Sequence, residues 1–560
     1  MSSPDQPSTA TKAADRNSGR SGLIRSSMVF SGLTLVSRFM GFLRDLAVSY
    51  RMGASETPAA DAYNTALAFP NLFRRIFAEG AFAAAFVPAY SRALETEGED
   101  YADRLAADAM ATLAAATVLI TIAAQLAMPW LMYVINPGYA DDPVKFKLAV
   151  VLTQVSMPYL PCMAIVALIS GVLNARGRFI LSAGAPVLLN LVMLAAILPQ
   201  PDAITAAYAA SWGILAAGVL QVALVWWGVR RTGARIILRP PRLTPQIKAL
   251  IGLAVPGAIA ASATQVNIFI SGILASGVDG ARSWLAAADR LYQLPLGLVG
   301  VAVGVALLPQ LSRAVHGGDP ERAQNATDEA ITFAMALTLP AAAALVAMPW
   351  FLIDALFTRG AFTAYDSQQT AMALLHYGWG VPAFVLTRVV TPAFFARQDT
   401  KAPMRYALVS VAVNIVLGVA LFHLIGFQGI AMATSIAAWT NVLQMLWALH
   451  RRDLYRPSAK TWNRLARIGL SNLAFGLILF AAAWQRELIE GLFAGFHIGD
   501  VVGPKEIAIV LTALAAMAIY PPLLFAFGGV KLSELKRALR RRPAPIEEEV
   551  GETPAGPGLL

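Results

Sequence analysis

The sequence predicts an all-α polytopic membrane protein of fourteen transmembrane helices: two six-helix lobes and two extra C-terminal helices. Three observations carry this. The 560 residues are 57% hydrophobic and only 14% charged, where a soluble domain carries about 25% charge. The apolar residues fall in long runs, too continuous for the alternation of barrel strands, and only helices or closed barrels satisfy their backbone in lipid. Finally, a short string of residues in the first half returns in the second at a fixed offset.

At about 20 apolar residues per crossing, the runs lie near 24–50, 59–90, 107–135, 148–174, 180–199, 204–229, 247–276, 281–311, 326–357, 369–395, 404–425, 427–449, 464–484 and 505–528. The second is long and broken. With the N-terminus cytoplasmic, 31 of the 44 Lys and Arg fall in cytoplasmic segments, seven on the other side and six within spans. That asymmetry is the positive-inside pattern and puts both termini in the cytoplasm. The net charge of +10 therefore reports topology, and no nucleic-acid partner is implied.

The repeat runs through the first twelve spans. Ala127-Met128-Pro129-Trp130 returns as Ala347-Met348-Pro349-Trp350, offset 220. Pro161 matches Pro382, and Ala175-Arg176 matches Ala396-Arg397, offset 221. An offset of six crossings keeps the two copies in the same orientation, related by an axis along the membrane normal. The expected organisation is a disordered cytoplasmic tail (1–22), an N-lobe (23–229), a basic linker (230–246), a C-lobe (247–452), the added spans 13 and 14 (453–530), and a basic amphipathic helix with a disordered tail (531–560). Residues 1–22 lack the apolar core and cleavage site of a signal peptide.

Charges inside spans cost about 2.5–3.5 kcal/mol each on insertion scales, and here they are concentrated. Arg38, Arg44 and Asp45 lie in span 1; Asp61, Arg74, Arg75 and Glu79 in span 2; Asp289 and Arg290 in span 8, the repeat partner of span 2. Arg388 in span 10 stands apart. Arg38 and Asp45 share a helix face, and Arg75 and Glu79 are placed to pair at i, i+4. These deep charges sum to a surplus of +2, which suits a phosphate or diphosphate held by guanidinium forks. Snorkelling at helix ends is the plainer account of Arg388 and the alternative for Arg74 and Arg75, and Asp61 also fits a simple N-terminal helix charge. Pro70, Pro295, Gly297 and Gly300 are candidate hinges, with packing as the alternative. The single cysteine, Cys162, and five scattered histidines offer no disulfide framework and no Cys/His metal cluster. No nucleotide-binding or hydrolase motif is present, so a transporter is expected rather than an enzyme, and no cofactor is implied.

Several strings together carry a resemblance. They are Ser37-Arg38-x-x-Gly41-Phe42-x-Arg44-Asp45, Asp61-Ala62-Tyr63, Pro70–Pro88 (PNLFRRIFAEGAFAAAFVP), Ala288-Asp289-Arg290-Leu291 and Ala396–Pro403. The chain, from about residue 23 to 540, closely resembles the MurJ (MviN) family of bacterial lipid II flippases, within the multidrug/oligosaccharidyl-lipid/polysaccharide exporter superfamily. The resemblance implies a V-shaped pair of lobes in the cytoplasmic (inner) membrane. It also implies alternating-access transfer of undecaprenyl-diphosphate-linked disaccharide-pentapeptide, with a role in peptidoglycan and cell-shape biogenesis. Arg38, Arg44, Arg74 and Arg290, with Asp45, Asp61 and Asp289, would line a cationic central cavity. Spans 13 and 14 would form a groove for the lipid tail. Lipid II, membrane lipids and the cell-wall synthesis machinery are the implied partners.

Two positions depart from relatives. Gln293 stands where some carry an acid, and span 7 offers only Gln265 and Asn267 where some bind sodium through an acid. Coupling to the membrane potential, to protons or to sodium stays open. So do two alternatives on the same scaffold, a cation-coupled multidrug antiporter and a flippase for another polyprenyl-linked oligosaccharide. A membrane transferase acting on polyprenyl-phosphate is a third; it would need a catalytic loop, and the non-cytoplasmic loops are short.

Overall fold

The computed structural model describes residues 32–73, 82–237, 239–306, 313–315, 317–497 and 503–530. Arg74, Arg75 and Glu79, the basic segment 531–542 and both tails lie outside the described residues. Among the described residues every regular element is helical. The first group is α1 (32–52), α2 (Ala59–Phe73), α3 (Phe82–Thr96), α4 (Glu99–Ile135), α5 (Pro143–Ser156), α6 (Tyr159–Ala175), α7 (Phe179–Ile197) and α8 (Ala203–Arg230). The next is α9 (Pro245–Ala275), α10 (Ala281–Ala306), α11 (Pro320–Ala347), α12 (Pro349–Phe357), α13 (Ala364–Gly378), α14 (Val381–Phe395), α15 (Lys401–Ile425) and α16 (Gln428–Arg451). The last is α17 (Ala459–Trp484), α18 (Arg486–Gly491) and α19 (Pro504–Ala526). Nine segments among the described residues are long and apolar enough to cross a membrane.

Helix starts follow from local chemistry. Asp142 accepts from the amides of Val144 and Lys145 at 2.9 and 3.1 Å, with Pro143 at the first helical position of α5. Thr363 and Asp366 form a reciprocal capping box on α13. Caps of this kind satisfy amides that a helix start leaves unpaired. Asp142 and Thr363 are 221 residues apart, the offset of the sequence repeat.

Three runs expected as single spans each contain a helix break: 148–174 at Met157-Pro158, 326–357 at Met348, and 369–395 at Trp379-Gly380; the first and third remain single membrane-length segments, Pro143–Ala175 and Ala364–Phe395. The Ala-Met-Pro-Trp repeat explains one of them. Proline has no N–H and orphans the carbonyl four residues earlier. In α4, Pro129 orphans the carbonyl of Gln125, and the side-chain amide of Gln154 donates to it at 2.8 Å. Gln125 returns the bond to the carbonyl of Gln154 at 2.9 Å, and α4 runs on unbroken for 37 residues. In the second copy the matching positions are Leu345 and Leu374 or Leu375, which carry no amide to lend. There the chain leaves helical geometry at Met348 (φ −136°, ψ 46°) and restarts with Pro349 as the first residue of α12.

Apolar burial is divided by chain position. One core draws its buried members from residues 47–214, including Met52, Tyr63, Met128, Leu152 and Ile214. Another draws its own from 314–455, including Ile331, Val385, Phe394, Val442 and Tyr455. α9 belongs to both sides. Its start packs Ile247 and Leu250 against α3 and α4, while its length also lies against α15. α2 and α10 lie against one another, so the helices carrying Asp61 and Arg290 are brought together. α17 packs on α11, and α19 packs on α12 and α17.

Candidate functional site: an arginine-walled cavity

Between the early and late helices lies a cavity of about 470 Å³. α1 supplies Arg38 and Arg44, α10 supplies Arg290, Gln293 and Gly297, and α14 supplies Arg388. Tyr63 and Asn71 of α2 and Asn190 of α7 are among the other polar residues of its wall. Four guanidiniums therefore converge from three helices that are far apart in the chain.

Their partners are unequal. Arg44 is almost buried. Its Nη2 and Nε donate to Oδ1 of Asp45 at 2.8 and 3.1 Å, and its Nη1 donates to Oδ1 of Asn190 at 3.2 Å. Asn190 in turn donates to the carbonyl of Ser37 at 3.0 Å, which fixes its amide and ties α7 to α1. Oδ2 of Asp45 pairs with Nε of Arg290. Asp45 thus holds one arginine from each side of the cavity. Arg38 lies with its guanidinium against Gly297, so close that a Cβ there would overlap it. Arg388 reaches the carbonyl of the preceding residue, Leu296, at 3.5 Å.

A second cavity of about 490 Å³ adjoins the first and shares Asn71 and Gln293 with it. Asp289 lines this one, together with Gln265, Asn267, Arg282 and Tyr377. Gln293 donates to Oδ2 of Asp289, so the glutamine at that departing position is bound to the acid one turn earlier. Pro70 and Pro295 lie inside the continuous helices α2 and α10, as does Gly300.

Asp61 is placed elsewhere. It is fully buried and lines neither cavity. Its carboxylate accepts from Nζ of Lys145 (2.8 Å), the amide of Gly280 (2.9 Å), and the amide and Oγ of Ser283 (3.1 and 2.7 Å). The reason is geometric: an acid near the start of α2 meets the start of α10, where unpaired amides and the helix dipole favour an anion. Lys145 also pairs with Asp279 at 2.8 Å and sits over the ring of Tyr139. Beside it, Asp366 accepts from the amide and Oγ of Ser55 (3.2 and 2.6 Å) and from Nε1 of Trp284 (2.9 Å). Sequence reasoning assigned Lys145 to a loop and passed over Asp366. The usable signal was the repeat, since the two stand 221 residues apart. It also set Arg388 aside, because only folding places α14 beside α1. Asn190 carried no signal, being one amide in an apolar run.

Comparison with known proteins agrees with this architecture. Residues 48–498 match the family described as lipid II flippase MurJ. A probable lipid II flippase MurJ of Rhizobium tropici is 42% identical over 532 residues, 94% of this chain and 98% of the relative. The lipid II flippase MurJ of Burkholderia cenocepacia is 34% identical over 469 residues, 82% of this chain and 90% of the relative. Among solved structures, a lipid II flippase MurJ in an inward closed conformation superposes with a TM-score of 0.71 at 23% identity, over 92% of this chain and 100% of the other. An inward-facing multidrug resistance MATE family transporter of the MOP superfamily gives 0.62 at 16% identity, over 76% and 98%. These two likenesses speak to the fold alone. On the family match and the close relatives, the chain belongs to the lipid II flippase MurJ family of multi-pass membrane proteins.

Proposed function

We propose that this chain is a flippase that carries lipid II, the undecaprenyl-diphosphate-linked peptidoglycan precursor, from the inner to the outer leaflet of the bacterial cytoplasmic membrane. The observation that carries this is the convergence of Arg38, Arg44, Arg290 and Arg388 on one cavity between the early and late helices. A diphosphate offers oxygens in the geometry that guanidinium forks bind, and a low-dielectric site strengthens each bond. The MATE-like fold by itself also admits a drug antiporter, but four guanidiniums oppose the cationic drugs such a protein would take.

In this scheme the fourteen spans form two lobes with both termini cytoplasmic, and the lobes rock about α2 and α10. The end of the bundle around Asp61 and Asp366 faces outward and is closed. The head group enters from the cytoplasm and is held by the arginines. The polyprenyl tail lies in the apolar groove of about 250 Å³ between α17 and α19, lined by Phe475, Leu479, Thr512 and Ala516. Reset uses the membrane potential acting on the cavity's net charge, about 2.3 kcal/mol per charge per 100 mV.

The test is depletion of this protein in its own cells, followed by an outside probe of lipid II. Precursor that accumulates and stays inaccessible supports the scheme. Unchanged access on depletion, with no redundant flippase in the strain, overturns it.

A further inference from the structure

We propose that Arg38 and Arg388 form a second oxyanion subsite within the cavity, one guanidinium from α1 and one from α14. The subsite closes on the phosphoryl group that Arg44 and Arg290 do not hold. The proposal rests on the flippase scheme above and adds the division of labour between the arginines.

The argument begins with Asp45. It accepts two bonds from Arg44 on one oxygen and faces Arg290 with the other, so those two guanidiniums share one compensating charge. Arg38 and Arg388 have no carboxylate against them among the described residues. Yet both are drawn to the same turn of α10. Arg38 lies on Gly297, and Arg388 reaches the carbonyl of Leu296, the adjacent residue. Two like charges held side by side in a cavity repel, and the natural guest is an oxyanion that accepts from both forks.

The local sequence prepares this approach. Glycine at 297 leaves room for the guanidinium of Arg38, where any larger residue would push it away. Pro295, two residues earlier, has no N–H to give its helix. Because α1 and α14 are far apart in the chain, an anion bound here bridges two distant segments. A ligand with one phosphoryl group is taken at Arg44 and Arg290, which Asp45 and Asn190 already hold in place, so no side chain has to be ordered there. A ligand with two also engages the second pair. The subsite is therefore the element that distinguishes a diphosphate from a monophosphate.

The experiment uses the purified full-length chain in nanodiscs, with undecaprenyl diphosphate and undecaprenyl monophosphate as probes and phosphatidylglycerol as the reference anionic lipid. Arg388→Gln is compared with wild type, and Arg388→Lys tests rescue. Unliganded thermal unfolding is followed for each. The expected result is a loss of about tenfold or more in diphosphate affinity for Arg388→Gln, in line with a lost charged hydrogen bond. Monophosphate affinity stays within about twofold (~0.4 kcal/mol) and unfolding is unchanged. Arg388→Lys recovers part of the loss. Equal losses for both probes, or none for either, overturn the second subsite and leave the flippase scheme standing. A wild-type protein that prefers neither probe over phosphatidylglycerol overturns the scheme and the subsite together.

Discussion

α10 meets two very different polar environments within a few turns. At its start, Asp61 accepts from four donors and Lys145 serves two carboxylates, while Asp366 ties Ser55 to Trp284. Seven residues beyond Ser283, roughly 10 Å along the axis at 1.5 Å per residue, Arg290 enters a cavity with four guanidiniums and one shared carboxylate. The first environment is saturated and buried. The second is rich in donors with few acceptors. Saturation is what a contact needs to hold two groups of helices together, and unspent donors are what a cavity needs to take an anion. The lesson is that an intramembrane charge announces its use by its unmet bonds rather than by its depth.

Substitutions test that contrast directly. The largest effect on stability belongs to Asp61→Ala, which leaves a buried lysine with Asp279 as its remaining carboxylate and three further donors without their acceptor. A loss of about 3–5 kcal/mol is expected, read as a lowered thermal midpoint in detergent. A variant that melts like wild type yet fails to flip would move Asp61 to the binding side of the contrast.

Next comes Arg290→Ala, with about 1.5–3 kcal/mol lost from diphosphate binding and a melting point near wild type, since the side chain is part-exposed. Binding measured in nanodiscs alongside unfolding separates the two. Asn190→Ala comes third. It removes the acceptor of Arg44 Nη1, and about 1 kcal/mol is expected in stability, together with weaker diphosphate binding as Arg44 loses its orientation. Unchanged binding would show that Asp45 alone positions Arg44.

The smallest effect is expected of Asp366→Asn. Its amide oxygen still accepts from Ser55 and Trp284, and the cost is one capping bond, since its NH2 cannot accept from the amide of Thr363, so the stability loss stays at about 1 kcal/mol with no effect on binding. A collapse of the fold in this variant would mean that the charge, and not the hydrogen-bond pattern, holds this end of the molecule.

Much of this was legible in the sequence, for physical reasons. Long apolar runs have few conformational options in lipid, so the helices could be read directly. Arg38, Arg44 and Arg290 stood out because charge inside such a run is costly. Asp61 stood out for the same reason, but its cost is met by the start of another helix, and one-dimensional reading cannot see a cap supplied across the fold. Lys145 looked like a loop residue because its partners lie 84 and 134 positions away. Arg388 was discounted because its place beside Gly297 and Leu296 depends on how α10 and α14 pack. The split at Met348 was hidden because the same four residues make a continuous helix in the first copy.

That split has a mechanical consequence. The paired amides of Gln125 and Gln154 act as a splint across Pro129, leaving α4 a stiff strut. The second copy has no splint and is jointed. The C-terminal addition straddles this joint: α17 packs on α11 before it, while on α12 beyond it Arg486 pairs with Asp354 at 3.0 Å and stacks over Trp350, and α19 packs beside them. A change of angle at Met348 would therefore act on the apolar groove that bridges it, shifting α19 against α17, while the equivalent bend in the first copy is braced. The two copies of the repeated string thus serve as a girder and an elbow, and the C-terminal addition spans the elbow.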